Sequence, residues 1–319
     1  MKLSFGLFIL GFGSAGCASI EAGNGELLIN EAPSQDMEFS GQTLLIPLNG
    51  RRMVGSIGGT QIDIVFDTGA PGAGLKKTFA DDRNLPYLAG RETVTVLPAF
   101  NIRYPKRMAV LDELTLGDAT FRNITVSIGE PSEADTAILE AQGLASDMIF
   151  GLDLFRPHFA TATFDYDAGS VSFGREGDAS DLLDAELTED GKYIVEVSVG
   201  GKPARMLIDT GSKSNTVSPA YAESVPCFGY REFVRSWGAF SERLLPLTLT
   251  GDVTERRWVE VRDFATDEAL NIIGVLGEVN GGQLVLNLSK VRYRWDWVAE
   301  ENMNYPYEPT RQTETCPPL

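Results

Sequence analysis

The chain has 319 residues, 43% of them hydrophobic, a length that supports one large domain or two modest ones, each with its own core. A formal net charge of -18 excludes a nucleic-acid partner, because phosphate recognition needs clustered Lys and Arg; the acidic balance reads instead as the surface of a soluble exported protein. The single histidine, His158 in Arg156-Pro157-His158-Phe159, excludes a Ser-His catalytic pair and a multi-histidine metal site by inventory, and reads as structural.

From the N-terminus, Met1-Lys2 precedes a mostly apolar run, Leu3 to Phe12, that is too short for a stable membrane anchor and fits the apolar region of an export signal over residues 1–17. The ending Ala15-Gly16-Cys17 resembles a bacterial lipoprotein box, with Cys17 as the lipidated residue; Ser14 stands where that motif usually has an aliphatic, and cleavage after Ala18 is the alternative reading. Residues 18–42, polar and acidic, read as a tether, and residues 299–319, with four prolines, as an irregular tail. If Cys17 carries lipid, Cys227 and Cys316 remain as an even pair in an oxidising compartment. A disulfide between them would staple the tail to the second half; the alternative is two unrelated thiols.

Between tether and tail the chain repeats itself, as residues 43–178 and 179–298. Each half holds an Asp-Thr-Gly tripeptide, Asp67-Thr68-Gly69 and Asp209-Thr210-Gly211. A Gly-Gly pair, Gly58-Gly59 or Gly200-Gly201, lies nine and eight residues before each aspartate, and an apolar triplet, Ile64-Val65-Phe66 or Met206-Leu207-Ile208, runs straight into it. With the strand-like stretches Met53–Ile57 and Tyr193–Val199 upstream, each unit predicts strand, glycine turn, strand, then Asp-Thr-Gly. Short helices are expected after each tripeptide, over 77–82 and 219–224. Hairpins follow at 109–117 with 121–128 and at 244–250 with 258–261. An apolar pair ending in glycine comes next, Ile149-Phe150-Gly151 or Val275-Leu276-Gly277, and then a last hairpin, 162–173 or 283–295. Short strands dominate, and long helical periodicity is absent.

Two aspartates on two such turns can do hydrolytic work together. Carboxylates in contact cannot both ionise cheaply, so they share one proton. The ionised member can take a proton from water while the protonated member gives one to a peptide carbonyl. Thr68 and Thr210 can brace the two loops with their hydroxyls, while Gly69 and Gly211 permit close backbone approach and aim N–H groups at the carboxylates. One such tripeptide arises by chance in roughly one chain in ten of this length; two at matching points of a tandem repeat carry far more weight.

On these motifs, residues 43 to 298 resemble the retropepsin-like aspartic proteases, in particular bacterial exported members with both halves in one polypeptide. The resemblance implies an all-β fold of two pseudo-symmetric lobes with a cleft between them. It implies a catalytic dyad of Asp67 and Asp209, and Gly151 and Gly277 packed beside the loops. Ala70 follows the first tripeptide, as in retroviral enzymes, and Ser212 the second, as in pepsin-like ones; Glu278-Val279 departs from the more usual Leu152-Asp153-Leu154. A flap is expected over residues 94–108, with Phe100 or Tyr104 at its tip, ordinary strand aromatics being the alternative. The implied activity is endopeptidase action on peptide or protein substrates. It needs no cofactor or metal, in a monomer with an intrachain dyad, located in the cell envelope and anchored to the membrane if Cys17 is lipidated. A protein that keeps the fold and binds peptides or proteins without cleaving them is the alternative function.

Overall fold

The computed structural model describes residues 19–21, 27–97, 102–129, 131–141, 145–177, 181–212, 214–235, 238–249, 254–262, 272–277, 282–296 and 309–318. Cys17 and Phe100 lie outside them. The architecture is all-β, in two lobes built on one plan.

In the first lobe the Arg52–Ile57 and Thr60–Phe66 strands form a hairpin whose turn is Gly58-Gly59, both at positive φ (55° and 78°). The second lobe repeats this with Tyr193–Val199, Lys202–Ile208 and Gly200-Gly201 at 61° and 80°. Two successive left-handed residues make the two-residue turn whose twist matches the flanking strands, and glycine adopts that backbone without a Cβ penalty. Around each hairpin a ring of six strands closes. In the first lobe Ile102–Leu116 pairs with both Arg52–Ile57 and Ala119–Gly129, and Met148–Phe150 and Ala73–Lys76 complete the circuit. In the second, Gly238–Thr248 and Glu255–Val261, then Asn215–Val217 and Gly274–Leu276, occupy the same places. Closure leaves no free edge among the six ring strands of each lobe.

A six-stranded sheet joins the lobes. Its centre is the antiparallel pair Thr161–Asp165 and Gln283–Asn287, one strand from each half, flanked by Ser170–Gly174 with Thr43–Pro47 on one side and Arg292–Asp296 with Leu183–Asp184 on the other. Over it packs an aromatic cluster. Phe66, which immediately precedes Asp67, lies 5.1 to 5.8 Å (ring centroids) from Phe150, Phe155, Phe164 and Phe173, and Phe155 stacks on Phe173 at 3.8 Å. Large rings buried behind the strand ends fix the height at which that strand delivers its aspartate.

The helices Lys77–Asp82 and Pro219–Glu223 fall where the sequence places them. Four features differ. The stretch 18–42 is no bare tether: Ser19–Glu21, Leu27–Ile29 and Asp36–Glu38 all join the first-lobe sheet, because Ile29 is buried and Leu28, Met37 and Phe39 pack on the core. The tail is not wholly irregular, since Arg311–Thr313 adds a strand beside Tyr230–Arg235. Strands are not uniformly short; Ile102–Leu116 runs 15 residues. A further helix, Glu133–Ala141, begins at a capping arrangement in which the Asp135 carboxylate accepts from the Ser132 N–H and the Ser132 hydroxyl accepts from the Asp135 N–H. The ring of His158 lies edge-on to Phe121 at 6.1 Å.

Cys227 and Cys316 form a disulfide, with Cα atoms 6.1 Å apart and a separation of 89 positions in sequence. A crosslink of that span removes much chain entropy from the unfolded state. Replacing both cysteines by serine should therefore lower unfolding free energy by about 3 kcal/mol. Guanidinium unfolding of the double variant against the oxidised parent checks this.

Candidate active site

Asp67 and Asp209 stand at the C-terminal ends of equivalent strands, each held by the apolar-apolar-glycine element beside it. Met148–Phe150 lies parallel to the first strand, with Phe150 opposite Phe66, and the Phe150 carbonyl accepts from the Asp67 N–H at 3.0 Å. Gly274–Leu276 lies parallel to the second, with Leu276 opposite Ile208, and the Leu276 carbonyl accepts from the Asp209 N–H at 2.9 Å. Gly151 and Gly277 follow these strands because no side chain fits: a Cβ on Gly151 would collide with the Ala70 carbonyl, and one on Gly277 with the Ser212 side chain.

The two loops interlock. The Thr68 hydroxyl accepts from the Thr210 N–H at 3.0 Å and donates to the Ile208 carbonyl at 2.9 Å. The Thr210 hydroxyl accepts from the Thr68 N–H at 3.0 Å and donates to the Phe66 carbonyl at 3.1 Å. Both threonines are buried, so these four bonds are unscreened and water cannot replace them.

This lattice sets the carboxyl groups face to face, each with only a small exposed edge. Gly69 donates to Asp67 Oδ1 at 2.8 Å; Gly211 and Ser212 donate to Asp209 Oδ1 at 2.8 and 3.1 Å. Each glycine also passes close to the opposite carboxyl: a Cβ on Gly69 would lie 2.7 Å from Asp209 Cγ, and one on Gly211 2.6 Å from Asp67 Oδ2. The Asp67 carboxyl is pushed well above the ordinary carboxylate range. Burial is the main cause, followed by the charge of Asp209 and the hydrogen bond between the two side chains; the Gly69 N–H and the Arg51 guanidinium oppose the rise. The pair thus holds a proton where an isolated carboxyl would have lost it.

Of the residues singled out from sequence, Asp67, Thr68, Gly69, Gly151, Asp209, Thr210, Gly211 and Gly277 come together here. Tyr104 does not sit at a hairpin tip. The Tyr87–Leu97 and Ile102–Leu116 strands pair up to Leu97 opposite Ile102, and the Tyr104 ring packs over Gly129 instead, lining a cavity of about 500 Å³ with Gly74, Ser127 and Ile149. Two participants were not singled out. Asn215, fully buried, accepts at Oδ1 from the Gly277 N–H at 3.3 Å. Arg51 donates from Nη1 to the Gly211 carbonyl. Aligning the repeats reveals Arg51, because it falls opposite Tyr193 and so puts a charge where the other half has an aromatic.

Residues 53–154 match the family model described as aspartyl protease, a span that contains the Asp67 loop and Gly151. No curated protein matches the chain.

Replacing Thr68 by valine keeps the shape but strips the Thr210 N–H of its acceptor and the Ile208 carbonyl of a donor, and should lower stability by about 2–4 kcal/mol. The Thr68→Val/Thr210→Val pair should fall short of the sum of the single losses, since the two hydroxyls serve one network. Urea titration of the three variants provides the comparison.

Proposed function

We propose that the protein is an aspartic-type endopeptidase in which Asp67 and Asp209 activate a water against a peptide carbonyl. One observation carries the reading: two carboxyls from separate lobes meet as a hydrogen-bonded pair on loops locked by reciprocal threonine bonds. The first-lobe match to aspartyl proteases supports it independently.

The chemistry follows from the geometry. In the singly protonated pair, one carboxylate takes a proton from water as the oxygen attacks the carbonyl carbon. The other carboxyl gives its proton to the carbonyl oxygen, yielding a neutral tetrahedral diol. On collapse the protonated member gives its proton to the departing nitrogen while a diol hydroxyl gives its proton to the other carboxylate, so the C–N bond breaks and the pair ends with the single proton it began with. The Gly69 and Gly211 N–H groups hold the two carboxyls in place, so little reorganisation accompanies the proton transfers.

Export belongs to the same proposal, with residues 1–17 as the signal and Cys17 as the lipid acceptor. The Cys227–Cys316 disulfide supports an oxidising compartment. Replacing Cys17 by alanine should move the protein from the membrane to the soluble envelope fraction, as read by fractionation and immunoblot.

Asp67→Asn and Asp209→Asn should each reduce kcat on a peptide library by about 10³-fold or more while leaving the unfolding transition in place. The parent enzyme should show a bell-shaped pH profile: activity falls on the acid side as the pair takes a second proton, and on the alkaline side as the shared proton leaves. Because the proton on Asp67 is held above the ordinary range, the alkaline limb should lie well above about pH 4. A rate that kept rising into alkaline solution, or cleavage undiminished in either asparagine variant, would remove the dyad assignment.

A further inference from the structure

The two halves supply the same Asp-Thr-Gly loop to the dyad, and of the residues that differ between them, Ser212 for Ala70 and Asn215 for Ala73 are neutral while Arg51 for Tyr193 is charged. Arg51 directly precedes the first strand of its hairpin; its carbonyl accepts from the Phe66 N–H at 3.2 Å, one residue before Asp67. From there its side chain crosses to the other lobe and donates to the Gly211 carbonyl. Tyr193, at the equivalent place in the second half, points away from the loops, its hydroxyl bonded to the Asn287 carbonyl at 2.9 Å. The fold therefore delivers one guanidinium to one side of an otherwise two-fold arrangement.

One flank of this partly buried side chain is largely apolar. A cavity of about 10 Å³ beside it is lined by Leu48, Phe66, Phe164, Tyr166 and Thr210, and the Tyr166 ring is stacked on Phe164 at 6.1 Å. Burial pushes the Arg51 guanidinium down, while the charges of Asp209 and Asp67 hold it up. The other ionisable groups bearing on this cluster are Arg52, which opposes the charge of Arg51, Tyr166, which burial keeps neutral, and Asp153, whose carboxyl lies beside Gly151 and Gly72. Arg52 is itself ion-paired with Asp63 on the neighbouring strand.

A guanidinium in such a place needs a counter-charge, and the dyad is the anion within reach. With one proton on the dyad, guanidinium and carboxylate balance. With two protons, the guanidinium is left unpaired in a poorly solvated site, so the second proton is resisted. The same side chain fixes the Gly211 carbonyl, whose residue's N–H orients Asp209.

We propose that Arg51 is a positioning residue for the dyad, which pins the Asp209 loop to the strand carrying Asp67 and places a fixed positive charge that keeps the pair singly ionised at acid pH. This rests on the peptidase reading. It assigns to one lobe a control that the paired aspartates and threonines do not provide.

The test compares Arg51→Gln, Arg51→Lys and the parent by kcat and KM from about pH 2 to 8, with thermal unfolding and stoichiometric binding of a statine peptide to count intact sites. The glutamine variant should lose about tenfold or more in kcat, and both limbs of its bell should move up by about one pH unit, because removing a positive charge raises both proton affinities of the pair. The lysine variant should keep the bell of the parent while losing a severalfold part of kcat, since it carries the charge without the planar fork. A bell that stays in place in the glutamine variant, or moves equally in both, overturns the proposal. If the glutamine variant does not fold, the lysine variant decides: lower kcat under an unmoved bell supports the role, and parental kcat or a displaced bell refutes it. Failure here, with Asp67→Asn and Asp209→Asn still inactive, leaves the peptidase reading standing; activity in those two variants removes that reading.

Discussion

Everything near the site hangs on the exchange of hydrogen bonds between Thr68 and Thr210. Each hydroxyl accepts from the opposite amide and donates to the carbonyl that precedes the opposite aspartate, so neither loop has its geometry without the other. A carboxyl pair pressed together repels as soon as both members ionise. Only a scaffold whose own bonds are buried and fully satisfied resists that repulsion without spreading. The remaining apparatus serves this lattice: the parallel strands Met148–Phe150 and Gly274–Leu276 clamp the ends of the aspartate strands, and the aromatic cluster around Phe66 packs behind the end of the first.

The sheet shared between the lobes explains why the lattice is held rigidly. Thr161–Asp165 pairs along its length with Gln283–Asn287, so a strand from late in the chain is built against one from the first half. The lobes are therefore joined both at the loops and beneath them. The division at residue 178 marks the repeat in the sequence, while the joining sheet crosses it.

Much of this was legible in the sequence because the repeat exposes it. The Gly-Gly pairs announce two-residue turns, the apolar triplets announce buried strands, and the glycines at 151 and 277 mark places where backbone meets backbone. What was not legible depended on contacts between distant segments. Residues 18–42 are polar on average, and only the spacing of Leu28, Met37 and Phe39 against a sheet not yet formed gives them structure. Tyr104 could be read as a hairpin tip or as an ordinary strand aromatic, and it is the latter; the choice stayed open because the register between Tyr87–Leu97 and Ile102–Leu116, with its irregularity after Tyr87, cannot be read from alternation alone. Arg51 sat outside both tripeptides; the repeat marks it as a charge opposite Tyr193, while its reach across the lobes shows only in the fold.

The two halves share the hydrogen-bond scaffold and differ along the sheet rows behind it. On the face that carries Asp67, the row one pleat back runs Val65, Ile149, Gly74, Ser127 across four strands, and three of these, Ile149, Gly74 and Ser127, line the large cavity. The equivalent row in the second lobe runs Leu207, Val275, Thr216, Glu260, Glu242, Arg231. Here the carboxylate of Glu260 accepts from the Ser214 hydroxyl and from Arg262, Glu242 pairs with Arg231 at 3.0 Å, and Arg231 lies over the Trp258 ring at 3.6 Å. Ion pairs this far from solvent add little net stability over apolar packing of equal volume, so cohesion of the lobe does not account for them. What they change is the chemistry of the row: a hollow lined by glycine and isoleucine in the first lobe, and a buried set of opposed charges in the second. A lattice that demands two-fold symmetry at the aspartates is thereby compatible with two chemically unlike sheet rows, because the bonds that enforce the symmetry run through the backbone and two threonines and leave the neighbouring side chains free to differ.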